Sequence, residues 1–140
     1  MLDRYRKYHA LKIDSPGDRI LRITFDKPET MNSLDAEGHR ELTYIWRDID
    51  EDENVSSVIL TGKGKAFSAG GDFGMIEDMI EDHKARARSW KEARDLVYNI
   101  INCSKPIVSA INGAAVGAGL VAGLLADISI AGKSAKIVDG

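Results

Sequence analysis

The chain has 140 residues, 44% hydrophobic and 29% charged, the composition of an ordinary folded domain with room for one core and none for a second full domain. Its 19 basic and 22 acidic residues leave a net charge of −3, without the concentrated basic block that DNA or RNA phosphates require. A single cysteine, Cys103, excludes an intramolecular disulfide, and Met1 to Lys7 has no apolar run of the secretory kind, so a reducing, cytoplasmic setting is expected.

Tyr8–Asp14 and Arg19–Phe25 read as two strands, because Leu11 and Ile13, then Leu21, Ile23 and Phe25, recur with a period of two. Ser15-Pro16-Gly17-Asp18 between them is a turn signal. A polar loop, Asp26 to Asn32, leads to a helix in which Leu42, Ile45, Trp46 and Ile49 share one face, with Ser33 or Asp35 as its cap. Val55–Thr61 is a short apolar strand that ends in Gly62-Lys63-Gly64-Lys65, and the loop Ala66 to Asp72 follows. Next comes helix in two pieces, with Met75, Ile76, Met79 and Ile80 on one stripe and Trp90, Ala93, Leu96, Val97, Ile100 and Ile101 on another, and a polar, exposed or mobile stretch between them, Glu81–Ser89. Lys105-Pro106 breaks the helix, Ile107–Ile111 is a buried strand, Gly113–Gly119 a glycine-rich turn and Leu120–Ala126 a helix. Asp127–Ala131 and Ala135–Val138 complete the chain as short strands. Strands that alternate with helices in this order predict an α/β fold with a largely parallel sheet.

The 20 residues Ile107–Ala126 carry no formal charge, and Gly113/Gly117 and Gly119/Gly123 have the spacing that packs membrane helices. Ala and Gly dominate that run, Asn112 interrupts it and Pro106 precedes it, so no membrane span is expected.

Ligands of parallel sheets bind beyond the carboxyl ends of the strands, where both glycine-rich loops lie. Gly117-Ala118-Gly119-Leu120-Val121-Ala122-Gly123 follows a strand and enters a helix, one residue too long for a dinucleotide fingerprint, with Asp139 roughly where a ribose-binding acid would stand. Glycine allows close backbone approach, and a helix start presents free N–H groups with a partial positive charge. Two such N–H groups converging on an anion that exists only during a reaction form an oxyanion hole.

Leu60-Thr61-Gly62-Lys63-Gly64-Lys65-Ala66-Phe67-Ser68-Ala69-Gly70-Gly71-Asp72 and Lys105-Pro106 through Asn112-Gly113-Ala114-Ala115-Val116-Gly117-Ala118-Gly119 to Asp127 resemble the paired signatures of the enoyl-CoA hydratase/isomerase (crotonase) family. Asp26 to Leu34 is similar to that family's early Pro-x-x-x-Asn-x-Leu loop, so the resemblance covers nearly the whole chain. It implies a crotonase-like ββα spiral, one acyl-CoA-binding domain over residues 1–140 that forms the N-terminal part of the family fold, without the family's C-terminal helices. It implies catalytic backbone N–H groups at Gly71 and Ala118, which hold the enolate of an acyl-CoA thioester. It also implies substrate contacts at Ala66, Ser68, Ala69, Gly70, Asp72 and Gly117, with Asn32, Ser33 and Leu34 near the same ligand. Coenzyme A is then the handle of the substrate, with no permanently bound cofactor and no metal, and the full-length chain would form a homotrimer or hexamer.

The expected chemistry is hydration or dehydration of an enoyl-CoA, as in fatty acid metabolism, or double-bond isomerisation. In the family's hydratases a catalytic Glu stands three residues after the second oxyanion residue, where this chain has Val121, which moves no proton. A second acid would fall at or just beyond Gly140. Asp72, Glu77, Asp78 and His83 are the nearest acid–base candidates; read locally, Asp72 orders its loop or caps the next helix and the other three are solvated helix residues. Ser68 lacks a nucleophile elbow and reads as structural, and His9 and His39 have no neighbouring ligand residues for a metal. Trp46 and Trp90 read as core or subunit contacts. The competing readings are other enolate chemistry such as carbon–carbon bond hydrolysis, a catalytically silent acyl-CoA-binding module, and a nicotinamide-binding domain.

Overall fold

The period-two residues at the start of the chain form an antiparallel pair in the computed structural model, which describes residues 1–139. β1 (Leu11–Gly17) pairs with β2 (Ile20–Phe25), and Leu21, Ile23 and Phe25 are buried while the residues between them are half-exposed. The turn expected at Ser15–Asp18 falls instead on Asp18 and Arg19, the latter at φ 56°, and β1 runs on through Pro16 with a shift of register between Asp14 and Gly17. Pro16 is tolerated because β1 is an edge strand and the irregularity spares a residue that has no N–H to donate.

Asp35, rather than Ser33, caps α1 (Ala36–Asp50), its carboxylate accepting the Gly38 N–H at 2.8 Å. The stripe Leu42, Ile45, Trp46 and Ile49 is fully buried. From there the chain repeats one pattern. β3 (Ser57–Gly62) and β4 (Ala66–Ser68) precede α2 (Phe73–Glu81) and α3 (His83–Ile101); β5 (Ile107–Ile111) and β6 (Ala114–Val116) precede α4 (Gly117–Leu124); β7 (Ile128–Ala131) and β8 (Ile137–Val138) follow. The first strand of each pair extends a five-stranded sheet, β1-β2-β3-β5-β7, and the second a three-stranded sheet, β4-β6-β8. Every pairing beyond β1–β2 is parallel, so the fold is α/β with a largely parallel sheet, wound as a ββα spiral. The uncharged run Ile107–Ala126 is thus divided among β5, β6 and α4, and among the described residues no helix is long and apolar enough to cross a membrane.

Two helical expectations need correcting. Glu81–Ser89 is not a separating stretch: only Asp82 interrupts the helix, capping α3 through its carboxylate on the Lys84 N–H at 2.9 Å. The face that α3 buries is Ala85, Ser89, Glu92, Leu96 and Ile100, and Trp90 stands 66% exposed. Glu92 holds an interior position that Trp90 does not because its partner is already there. Glu92 Oε2 lies 2.9 Å from His39 Nδ1 on α1, and both side chains are buried.

Acidic residues around the end of α1 hold down the chain's first turn. Tyr5 donates to Asp52 at 2.9 Å and Tyr8 to Asp48 at 2.5 Å, while Lys7 pairs with Asp48 at 2.7 Å. Burial alone would raise the two carboxylates, but Lys7 and the Tyr8 hydroxyl hold Asp48, and the Asn54 N–H and Tyr5 hydroxyl hold Asp52, below the usual range. Burial and the adjacent carboxylates push both phenols above theirs. A depressed carboxylate contributes stability above its unfolded pKa and loses it as pH falls through the folded one, whereas a raised phenol loses its contribution as pH rises through the folded value. Residues 1–10 are therefore expected to stay docked between about pH 4 and pH 10 and to release outside that window, as read by limited proteolysis across pH.

Candidate functional site

Two asparagines fix the backbone beneath the first loop. Asn32 Nδ2 donates to Lys63 O at 3.0 Å and to Ala66 O at 2.9 Å, and its Oδ1 accepts the Lys27 N–H at 2.9 Å. Asn112 Nδ2 donates to Gly64 O at 3.0 Å and Ala66 O at 3.1 Å, and its Oδ1 accepts the Gly62 N–H at 3.1 Å. These bonds hold the Gly62–Ala66 turn against the early loop and the β5–β6 corner. Met31 and Asn32 both take left-handed φ, 56° and 57°, a conformation that costs a side-chain-bearing residue free energy and persists only where surrounding contacts enforce it.

The first loop then runs alongside the early loop. Ala69 N–H donates to Met31 O at 2.9 Å, Leu34 N–H to Gly70 O at 2.7 Å and Asp72 N–H to Leu34 O at 2.8 Å. Ser68 is wholly buried, donating through Oγ to Asn32 O at 2.8 Å and accepting the Gly70 N–H at 3.3 Å, which makes its hydroxyl a brace for the loop. Phe67, also fully buried, meets Phe25 edge-on with centroids 5.3 Å apart. Such a pair adds about 0.5–1.5 kcal/mol beyond burial and anchors β4 to the main sheet. Asp72 caps α2, its Oδ1 accepting the Met75 N–H at 2.7 Å.

The second loop packs directly onto the first. Gly70, at φ 85°, has no room for a side chain, since a Cβ there would stand 2.9 Å from Val116 O and 3.6 Å from the Gly117 Cα. A Cβ on Gly119 would overlap the Ser68 side chain, and one on Gly123 would come within 3.1 Å of the Phe67 ring. The glycines of the near-fingerprint thus serve close packing of α4 on β4. The α4 amino end begins at Gly117, three residues earlier than periodicity predicted, with the hydrocarbon residue Val116 at its cap. Gly71 and Ala118 each follow one of the two abutting glycines, and among the described residues neither of their N–H groups has a protein acceptor.

A cavity of about 460 Å³ opens beside Gly71. Ser33, Ala69, Gly71 and Asp72, all read as site residues from the sequence, line it together with Glu29, Thr30, Met31 and Phe73. Asn32, Leu34, Ala66, Ser68 and Gly70 are buried behind it, and Gly117 and Ala118 lie half-buried in the first turn of α4 and do not line it. Sequence reasoning missed Glu29, Thr30, Met31 and Phe73 as lining residues and the bracing amide of Asn112. Of the acid–base candidates, Asp72 is a helix cap, Glu77, Asp78 and His83 are exposed, and Val121 is 38% exposed on α4. The second acid position, at or beyond Gly140, lies outside the described residues. Lys27 donates to Asp35 at 2.6 Å. That carboxylate raises the ammonium above its ordinary value.

A sequence model of the enoyl-CoA hydratase/isomerase family matches residues 16–139. The chain is 32% identical to the 1,2-epoxyphenylacetyl-CoA isomerase of Escherichia coli over 85% of its own length and 46% of that protein. It is 33% identical to an enoyl-CoA hydratase of Alternaria alternata over 98% of its length and 47% of that protein. The crystal structure of an enoyl-CoA hydratase/isomerase from Mycobacterium paratuberculosis matches with a TM-score of 0.89 and 32% identity, over 93% of this chain and 52% of that one. The chain therefore spans about half the length of the curated relatives it matches.

Proposed function

The chain belongs to the enoyl-CoA hydratase/isomerase family, and from that premise we propose that it binds an acyl-CoA thioester and stabilises its enolate oxygen between the N–H groups of Gly71 and Ala118. The observation that supports this is the abutment of Gly70 on Gly117, which brings together two loops whose next residues each carry an unpaired N–H. An enolate concentrates charge on the former carbonyl oxygen. Donors already in place stabilise it without reorganisation, and removing one such donor costs about 3 kcal/mol in acyl-transfer sites. Backbone donors also fit the small residues here, because a larger side chain at Gly70 or Gly119 would separate the loops.

The reaction proposed is hydration, dehydration or double-bond isomerisation of an enoyl-CoA. Val121, where the family's hydratases have a glutamate, favours a second reading in which the chain binds acyl-CoA without turning it over. Binding of acetoacetyl-CoA, followed by calorimetry and the ultraviolet spectrum, tests the first reading: a complex with an enolate band is expected. A complex without the band, or no complex, would overturn the enolate role. Crotonyl-CoA recovered unchanged after long incubation with protein that binds it would favour the silent module.

A further inference from the structure

The outward sides of α2 and α3 carry opposite charges, and each is studded with exposed apolar side chains. On α3 the buried side is Ala85, Ser89, Glu92, Leu96 and Ile100, so Trp90, Arg94, Tyr98 and Ile101, spaced by four, four and three residues, lie along the side turned to solvent. Trp90, Tyr98 and Ile101 are between 58% and 66% exposed. Both carboxylates of α3 are already engaged, Glu92 with His39 and Asp95 with Lys91 at 2.5 Å. Among the described residues Lys84 and Arg88 have no ion-pair partner, and Arg94 has only a 4.0 Å contact with the occupied Asp95. α2 buries no residue, and its half-buried side is Met75 and Met79. The opposite side presents Glu77, Ile80 and Glu81 to solvent. Arg86 of α3 ties the two helices together by donating to Met79 O at 3.2 Å, yet among the described residues no carboxylate of α2 pairs with a cation of α3.

We propose that this surface pairs two copies of the chain about a two-fold axis, the acidic stripe of each α2 lying on the cationic, aromatic stripe of the other copy's α3. Charge complementarity selects the occupant. An anionic lipid surface or nucleic acid would suit α3 but would meet the carboxylates of α2, and a basic partner would meet the reverse conflict. A second copy satisfies both helices at once, because a two-fold contact repeats each pairing with the roles exchanged. The residue types are those that anchor interfaces: Trp90, Tyr98 and Arg94 are large, and their apolar parts gain from leaving water. Isolated exposed apolar residues are ordinary, but a tryptophan, a tyrosine and two isoleucines on adjoining helices form a patch of the kind that marks an association site. The α3 stripe from Trp90 to Ile101 is only about 16 Å long, which places the contact at the small end of specific interfaces. The pairing is independent of what binds at Gly71.

The test is sedimentation velocity of the 140-residue protein over a range of concentrations. A monomer–dimer equilibrium with a dissociation constant of about 10–100 μM is expected, weakened several-fold when salt is raised from about 0.05 to 0.5 M. Trp90→Ala should weaken it by about tenfold. Two charge-reversed chains make the contact specific. One carries Lys84→Glu with Arg94→Glu, the other Glu77→Lys with Glu81→Lys. All four side chains are exposed, so far-ultraviolet circular dichroism should match the parent. Each reversed chain alone should stay monomeric, since like charges then meet in both halves of the contact. An equimolar mixture of the two should dimerise again, because every α2 there meets an α3 of opposite charge. A parent that stays monomeric at all concentrations, a mixture that fails to pair, or assembly that grows beyond the dimer would overturn the proposal. So would a dimer that ignores these reversals and is lost in Ile130→Lys, which would place the contact on the exposed edge strand β7.

Discussion

Replacing Gly70 by alanine is expected to abolish the acetoacetyl-CoA enolate band and to lower stability by about 1–3 kcal/mol. Two effects combine. The backbone at φ 85° is one that an L side chain adopts only at a cost, and the new methyl group would press on Val116 O at 2.9 Å, closer than real Cβ contacts come. The easier relaxation is for the two loops to part by a few tenths of an ångström, which widens the gap between the N–H groups of Gly71 and Ala118. An oxyanion donor works within about 2.7–3.1 Å of the oxygen, so this small displacement removes more function than stability. Affinity for acetoacetyl-CoA should fall about tenfold or more while far-ultraviolet circular dichroism is retained. Gly74→Ala is the comparison: a Cβ there meets Asp72 Oδ1 at an ordinary 3.6 Å, so alanine should be neutral or stabilise α2 by about 0.5–1 kcal/mol. Parent-like enolate binding by Gly70→Ala would remove the loop contact from the mechanism.

What could be read from the sequence was what local periodicity controls. Leu21, Ile23 and Phe25 announced a half-buried strand, and the stripe from Leu42 to Ile49 announced the buried face of α1, because in both the interior is apolar and regularly spaced. The second sheet escaped detection since β4 and β6 have three residues each, too few to show a period, and are defined by pairing with one another across 48 residues of chain, from Ala66 to Ala114. Gly117 and Gly119 looked like turn residues because glycine disfavours helix. They begin α4 nonetheless, since only glycine at 119 lets that helix sit on Ser68 and Gly117 enters it at a left-handed φ of 57°. Glu92 was invisible as an interior residue for a related reason: the group that makes its burial tolerable, His39, is 53 residues away. The same holds for the cavity. Gly71 and Asp72 are written in a motif, whereas Met31 and Phe73 line it only because the early loop turns left-handed beside the start of α2.

Glu41→Ala is expected to be the most destabilising single change outside the apolar core, by about 3 kcal/mol, and Glu41→Gln is expected to recover part of the loss. Glu41 is 5% exposed, and its carboxylate accepts the N–H groups of His9, Ala10 and Leu11 at 2.7, 2.9 and 3.1 Å. No helix or strand supplies acceptors to His9 and Ala10, because the ladder with β2 begins only at Leu11. One ionised side chain therefore replaces a missing stretch of secondary structure. Charge-assisted bonds of this kind are worth about 1.5–3 kcal/mol each, and truncation leaves donors that are partly shut off from water. Glutamine keeps one acceptor oxygen but turns an amide N–H₂ toward a backbone donor, so only a fraction of the stabilisation returns. The loss propagates: residues 1–8, whose Tyr5 and Tyr8 bind Asp52 and Asp48, enter β1 through this clamp. Thermal unfolding should show the midpoint falling by about 10 °C for alanine and by roughly half that for glutamine. Limited proteolysis should cut alanine variants first near residue 10. An unchanged midpoint in Glu41→Ala would mean that water replaces the carboxylate at no cost, and the clamp would then have no energetic role.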